Sequence, residues 1–222
     1  MNKISVNKLS EYLGSDALRR RRIIEDQKEP VEFMITRYKA AKEAMINYIK
    51  SGYDVDIIDN AIDKLRRKTC STDFEKNDRK TSIEALESFL EIKFPEHLLD
   101  FKISKPKKKI NLVESKLQIN VNPELIIDGV YRKKKVIGGI KIHISKHNKL
   151  TEEMQKNVST LIHKAIEEKV VINSKKEVSH LDFCLSIDVF NRSIYYAPKS
   201  FKRRRKIINY ACDEITLIWD SI

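Results

Sequence analysis

The chain has 222 residues, of which 41% are hydrophobic and 34% charged, with only 5 Gly and 5 Pro. These proportions exclude a disordered or fibrous chain, and no run approaches the roughly 18 apolar residues that a membrane span requires. Lys and Arg number 44 against 32 acidic residues, a net charge of +12 that favours a phosphate-rich partner, most often nucleic acid. A lysine-rich, solvated surface is the competing explanation. Met1 to Leu13 lack the apolar stretch of a secretory signal. Cys70, Cys184 and Cys212 are widely spaced and odd in number, which argues against a disulfide framework. The expectation is a cytoplasmic protein with no membrane partner.

The first 95 residues read as helices. Ser15 or Asp16 can cap a helix that runs through Arg19–Arg22 and stops before Pro30. Pro30 suits the first turn of a longer helix, with Val31, Met34, Tyr38, Ala41, Met45 and Ile49 on one stripe, ended by Gly52. A third helix follows Asp54 through Ile58, Ile62 and Leu65. Cys70 to Lys80 read as a polar loop, and Thr81 or Ser82 opens a short helix with Leu86 and Phe89 inward and Glu84, Glu87 and Glu91 outward.

After Pro95 the period changes. Lys102–Lys109 reads as a basic linker or surface loop. Leu117, Ile119 and Val121 alternate with polar residues as a strand, and Pro123 separates it from a second one carrying Leu125 and Ile127. Val136 to Ser145 forms the return strand, Thr151 caps an amphipathic helix, and Val178 to Val189 alternates strongly, with Leu181, Phe183, Leu185, Ile187 and Val189 inward and Asp182, Cys184, Ser186 and Asp188 outward. A turn at Asn191–Ser193 leads to a short strand, and a last helix starts near Lys202. The sum is an α+β chain: a helical region over 1–95, then a domain over 96–222 with a mixed or antiparallel sheet flanked by helices.

Chemistry concentrates in the central hairpin. A two-residue turn at Lys133–Lys134 sets Asp128 opposite Gly139, Ile126 opposite Lys141 and Glu124 opposite His143. Alternation then gives Glu124, Asp128, Lys141 and His143 one face, and Leu125, Ile127, Ile140 and Ile142 the other. This arrangement resembles the PD-(D/E)xK nuclease superfamily, in which one strand supplies an Asp and the next supplies an acid two residues before a Lys. The resemblance covers roughly residues 81–198 and implies a restriction-endonuclease-like core. It also implies a Mg²⁺ ion that polarises a phosphodiester and activates water. Carried over, Asp128 is the strand Asp, Lys141 the Lys, and Glu84 or Glu87 the helix acid, with Asp128 and Glu84 as metal ligands. The departure is Gly139, which stands where the acid before Lys141 is expected.

Other constellations are weaker. His143 and His147 lie four apart on a strand, where that spacing does not make a metal pair. Cys184 with His180 suggests a thiol nucleophile only if an orienting group exists. Nucleic-acid contact falls to the basic runs: Arg19, Arg20 and Arg22 on the N-terminal helix, Lys133, Lys134 and Lys135 at the hairpin, and Arg203, Arg204 and Arg205 near Tyr195 and Tyr196. Two functions stay open, a Mg²⁺-dependent nuclease of degenerate type and a non-catalytic subunit that binds nucleic acid (DNA or RNA) or a protein partner.

Overall fold

The computed structural model describes residues 1–29, 37–171 and 177–222. The elements in chain order are β1 (Asn2–Ser5), α1 (Val6–Leu13), α2 (Ala17–Lys28), α3 (Lys39–Lys50), α4 (Val55–Arg67), α5 (Asp73–Leu90), β2 (Lys102–Ser104), β3 (Asn111–Glu114), β4 (Leu117–Asn120), β5 (Leu125–Tyr131), β6 (Lys134–His143), α6 (Glu152–Lys169), β7 (Glu177–Asp188), β8 (Ser193–Tyr196) and α7 (Phe201–Ser221). A 3-10 turn, Glu96–Asp100, leads into β2. The helix start expected at Pro30 lies outside the described residues.

The main sheet has the order β2-β5-β6-β7-β8. Its neighbours are antiparallel except β6 and β7, which are parallel. A parallel pair cannot be joined by a tight turn, and α6 makes the crossover. One apolar cluster joins α3, α4 and α5 to Leu125, Ile127, Val136, Ile140 and Phe183. A second joins α1, α2, α6 and α7 to Ile137 and Cys184, with Ile126 packed against it. The sheet is therefore the middle of three layers, an α+β architecture with a mixed sheet flanked by helices.

Four sequence expectations need correction. The boundary at residue 95 does not separate two cores, because α3–α5 have the sheet as their floor. In addition, β1 pairs in parallel with β4, in a small sheet that β3 completes. The polar stretch Cys70–Lys80 is largely helical. Thr72 accepts from the Glu75 N–H while Glu75 accepts from the Thr72 N–H, a capping box that starts α5 eight residues before Thr81. Finally, Cys184, Ser186 and Asp188 do not face solvent. Both faces of this part of β7 are covered by helices, and all three are fully buried. Asp188 is satisfied there by the N–H groups of Leu150 (2.6 Å) and Asn191 (2.9 Å).

Candidate nucleic-acid interface

The β5–β6 turn sits at Arg132–Lys133, both in the left-handed region (φ 50° and 64°), one residue earlier than expected. Pairing consequently runs Asp128 to Ile137, Ile126 to Gly139 and Leu125 to Ile140. A shift of two positions between partners keeps each residue on its expected face but changes its neighbour. Asp128 and Lys141 share a face, yet Lys141 lies four residues along β6 from the partner of Asp128, about 13 Å by strand rise.

Each has found another partner. Asp128 lies 3.9 Å from Lys135, which also pairs with Glu177. Lys141 donates to the carbonyl of Asn122 (2.7 Å) and to Glu124 Oε1 (3.2 Å). Glu124 also receives Lys42 from α3 (2.6 Å) and the N–H of Ile142 (2.8 Å). Burial pushes the Glu124 carboxyl up, but Lys141, Lys42 and the Ile142 N–H outweigh it and hold the group below the usual carboxylate range. Burial pulls Lys141 below the ordinary lysine value, and the attraction of Glu124 only partly opposes it. This is a closed ionic cluster, with the lysine's donors spent inside the protein.

The helix acids do not join Asp128. Their helix, α5, packs on the layer of Leu125 and Ile127, whereas Asp128 has the parity of Ile126 and Ile137, which belong to the other layer. Glu84 pairs with Lys146 (2.7 Å), and Glu87 lies 3.7 Å from Arg66. Among the described residues no group of three or more His, Cys, Asp or Glu is placed to hold a metal. The expected Mg²⁺ ligand pair, Asp128 with Glu84, does not form.

Gly139 has a packing cause. A Cβ there would meet Ile162 of α6 at 3.1 Å and Pro123 at 3.3 Å. The helix that covers this face occupies the space an acidic side chain would need.

The remaining chemical candidates are also absorbed. His143 Nε2 donates to the Asn148 carbonyl (2.6 Å), and its Nδ1 accepts from Asn7 (3.1 Å). Cys184 is fully enclosed, and burial pushes its thiol up to about 12, so it carries no thiolate at neutral pH.

The basic runs divide sharply. Arg19 binds Glu11 (2.9 Å), and Arg20 reaches the Tyr12 carbonyl (3.1 Å) and Glu214 (3.4 Å). Arg204 holds Asn157 (2.8 Å) and Glu153 (2.6 Å), and Arg205 holds Glu167 (2.7 Å) and His163 (2.7 Å). These last contacts fasten α7 to α6. Arg22 and Arg203 remain exposed.

Lysines behave differently. Lys102, Lys105, Lys107, Lys108 and Lys169 line a cleft of about 380 Å³ whose single carboxylate is Asp128. Ile126 and Ile137 form its apolar wall. All five lysines are exposed, as are Arg132, Lys133, Lys134 and Lys135 at the adjoining hairpin. Lys105 pairs with Glu43 (2.6 Å). Among the described residues no ion pair is formed by Lys107, Lys108, Lys133 or Lys134.

The Lys102–Lys109 segment, expected as a basic linker or surface loop, begins with strand β2, and Lys169 is not among the expected contact residues. The missed signal is the Lys102-Ile103-Ser104 alternation, which makes an edge strand pairing Lys102 directly with Asp128. Among the described residues no helix is long and apolar enough to cross a membrane. No family model matches the chain, and neither the curated proteins nor the solved structures contain a significantly similar relative.

Proposed function

We propose that this chain is a nucleic-acid-binding protein of the cell interior, built on a PD-(D/E)xK nuclease-like core that does not assemble that superfamily's metal centre. The observation that carries the reading is the lysine cleft: five exposed ammonium groups around one carboxylate, beside a basic hairpin tip. Lys105 is matched by Glu43, but Lys107 and Lys108 form no ion pair among the described residues; closely spaced cations repel one another, and a phosphate backbone relieves that repulsion while releasing its own counterions. The nuclease-like core is supported by the order of elements, with α5 first, then the β5–β6 hairpin, then α6, then β7 and β8. Hydrolysis lacks the same support, since Lys141 is committed to Glu124 and, among the described residues, no group of three or more His, Cys, Asp or Glu gathers at Asp128 to hold a metal.

The test is fluorescence anisotropy with labelled DNA and RNA oligonucleotides, single-stranded and duplex, across a salt series. Affinity should fall steeply with salt, log K losing about 0.7 to 0.9 per phosphate neutralised for each tenfold rise. Reversing Lys107, Lys108, Lys133 and Lys134 to Glu should cost about 100-fold or more, with the melting temperature unchanged. No binding by the unaltered protein at low salt would refute the proposal. In a parallel arm with Mg²⁺ no cleavage is expected; cleavage abolished by Asp128→Ala would restore the hydrolase.

A further inference from the structure

The strand β7 carries an unusual bulge. Ile137 of β6 pairs with Ser179, and two residues later Gly139 pairs with Cys184. Four residues, His180 to Phe183, are thus set against one, Gly138. A Cβ on Gly138 would lie 2.0 Å from the Phe183 carbonyl oxygen, so only glycine lets the bulged backbone come this close. Bulges re-aim side chains, and this one builds a pocket on the layer opposite the lysine cleft.

The pocket measures about 400 Å³ and is lined by His97, Tyr131, Asp182, Phe183 and Tyr196. Beneath it lies Phe183, fully buried, with Tyr131 edge-on to it (centroids 5.3 Å, 73°) and His97 likewise (5.6 Å, 79°). Asp182 supplies the one carboxylate. Its side chain is 61% exposed, and His180 Nδ1 lies 3.8 Å from its carboxylate. That nitrogen also accepts from the Asp182 N–H (3.3 Å), which leaves the imidazole proton on Nε2. The site therefore offers aromatic walls and an acceptor-only group to a planar ligand.

We infer that this pocket takes one unstacked guanine of a single-stranded nucleic acid, an inference that rests on the nucleic-acid-binding reading above. Aromatic walls accept any base, and the carboxylate selects among them. It can only accept hydrogen bonds, and guanine alone presents two adjacent donors, N1–H and the N2 amino group, to its two oxygens. Adenine and cytosine place a ring acceptor beside their amino group, and uracil and thymine flank one N–H with two carbonyls. Tyr131 immediately precedes the hairpin turn, and the Arg132 guanidinium lies 5.0 Å from its ring centroid. A chain whose phosphates cross Arg132, Lys133 and Lys134 can drop a base into this pocket. The same cations oppose an alkylammonium ligand, which aromatic walls and a carboxylate would otherwise suit.

The experiment uses the full chain and 12-residue oligothymidylates carrying one central thymine, guanine, hypoxanthine or abasic position. Guanine should bind about tenfold tighter than the other three, the discrimination expected of one two-pronged base contact. Asp182→Asn should erase that preference and leave oligothymidylate affinity in place. Tyr131→Leu and Tyr196→Leu should each weaken all four oligomers by about tenfold, because even the abasic one retains thymines that can stack. Equal affinity for all four oligomers, with a normal salt slope, overturns the guanine pocket and leaves the binding function standing. Loss of binding altogether overturns both. Displacement of the guanine oligomer by choline chloride, beyond that by sodium chloride at equal ionic strength, overturns the inference in favour of a cation cage.

Discussion

The two ends of the β5–β6 hairpin handle lysine in opposite ways. At one end Lys141 and Lys42 converge on Glu124, whose side chain is only 8% exposed, and every charge has a partner. At the other end Lys107 and Lys108 line the cleft with Asp128 and Lys133 and Lys134 stand at the hairpin tip, all four exposed and, among the described residues, without an ion pair. An ion withdrawn from water must be neutralised locally, whereas an exposed ion is sustained by solvent and stays available. The arginine runs repeat the contrast, with Arg204 and Arg205 tied to α6 and Arg203 left in solvent. Net charge thus counts ions of two kinds, and only one kind is offered to a partner.

The largest effect that would break this contrast lies at the closed end. Glu124→Ala strands Lys141 in the interior and should cost about 3–5 kcal/mol in urea denaturation while leaving oligonucleotide affinity unchanged. An affinity loss comparable to that of the cleft lysines would place the binding site at the wrong end.

A second expected effect extends the contrast to the arginine run. Burial, with Arg205 next to it, lowers His163 to about 4. Between that value and its unfolded value near 6.5 the unfolded chain binds more protons than the native one, so stability rises with pH across this window. On acidification from 6.5 to 4 about 3 kcal/mol should be lost. Urea midpoints measured across this range should flatten in His163→Phe.

A smaller effect concerns the open end. Arg132 and Lys133 occupy left-handed positions that Asn-Gly fills with less strain. Replacing the pair by Asn-Gly should stabilise the protein by about 1–2 kcal/mol and weaken nucleic-acid binding. A variant that is more stable and binds equally well would show that the strained basic turn serves no ligand. The smallest effect is that of Asp128→Ala: stability should change by about 0.5 kcal/mol or less, and affinity should rise two- to threefold in anisotropy, as about one repulsive charge leaves the cleft.

Much of the architecture was legible from local pattern. Asp54 and Thr151 cap their helices as expected, and β5, β6 and β7 follow their alternation. The faces of Asp128 and Lys141 were also legible, because an error of two positions in pairing preserves side-chain parity. Which residues meet was not legible. That depends on the turn, and four successive basic residues, Arg132 to Lys135, offer no glycine or asparagine to mark it. The bulge was equally hidden, since His180 to Phe183 continue the alternating pattern while the backbone leaves the ladder. Asp188 and Cys184 were misplaced for a third reason: alternation reveals two faces but not that a helix covers the polar one.

Strand β1 pairs side by side with Leu117–Asn120, about 115 residues further along the chain. At a synthesis rate of roughly 5–20 residues per second, several seconds separate the appearance of the two partners. Strand β1 is made well before its partner and therefore waits, unpaired, for a mate not yet translated. Extensions fused just ahead of Asn2 should slow acquisition of the native state more than equal extensions after Ile222, because they burden the strand with the longest wait.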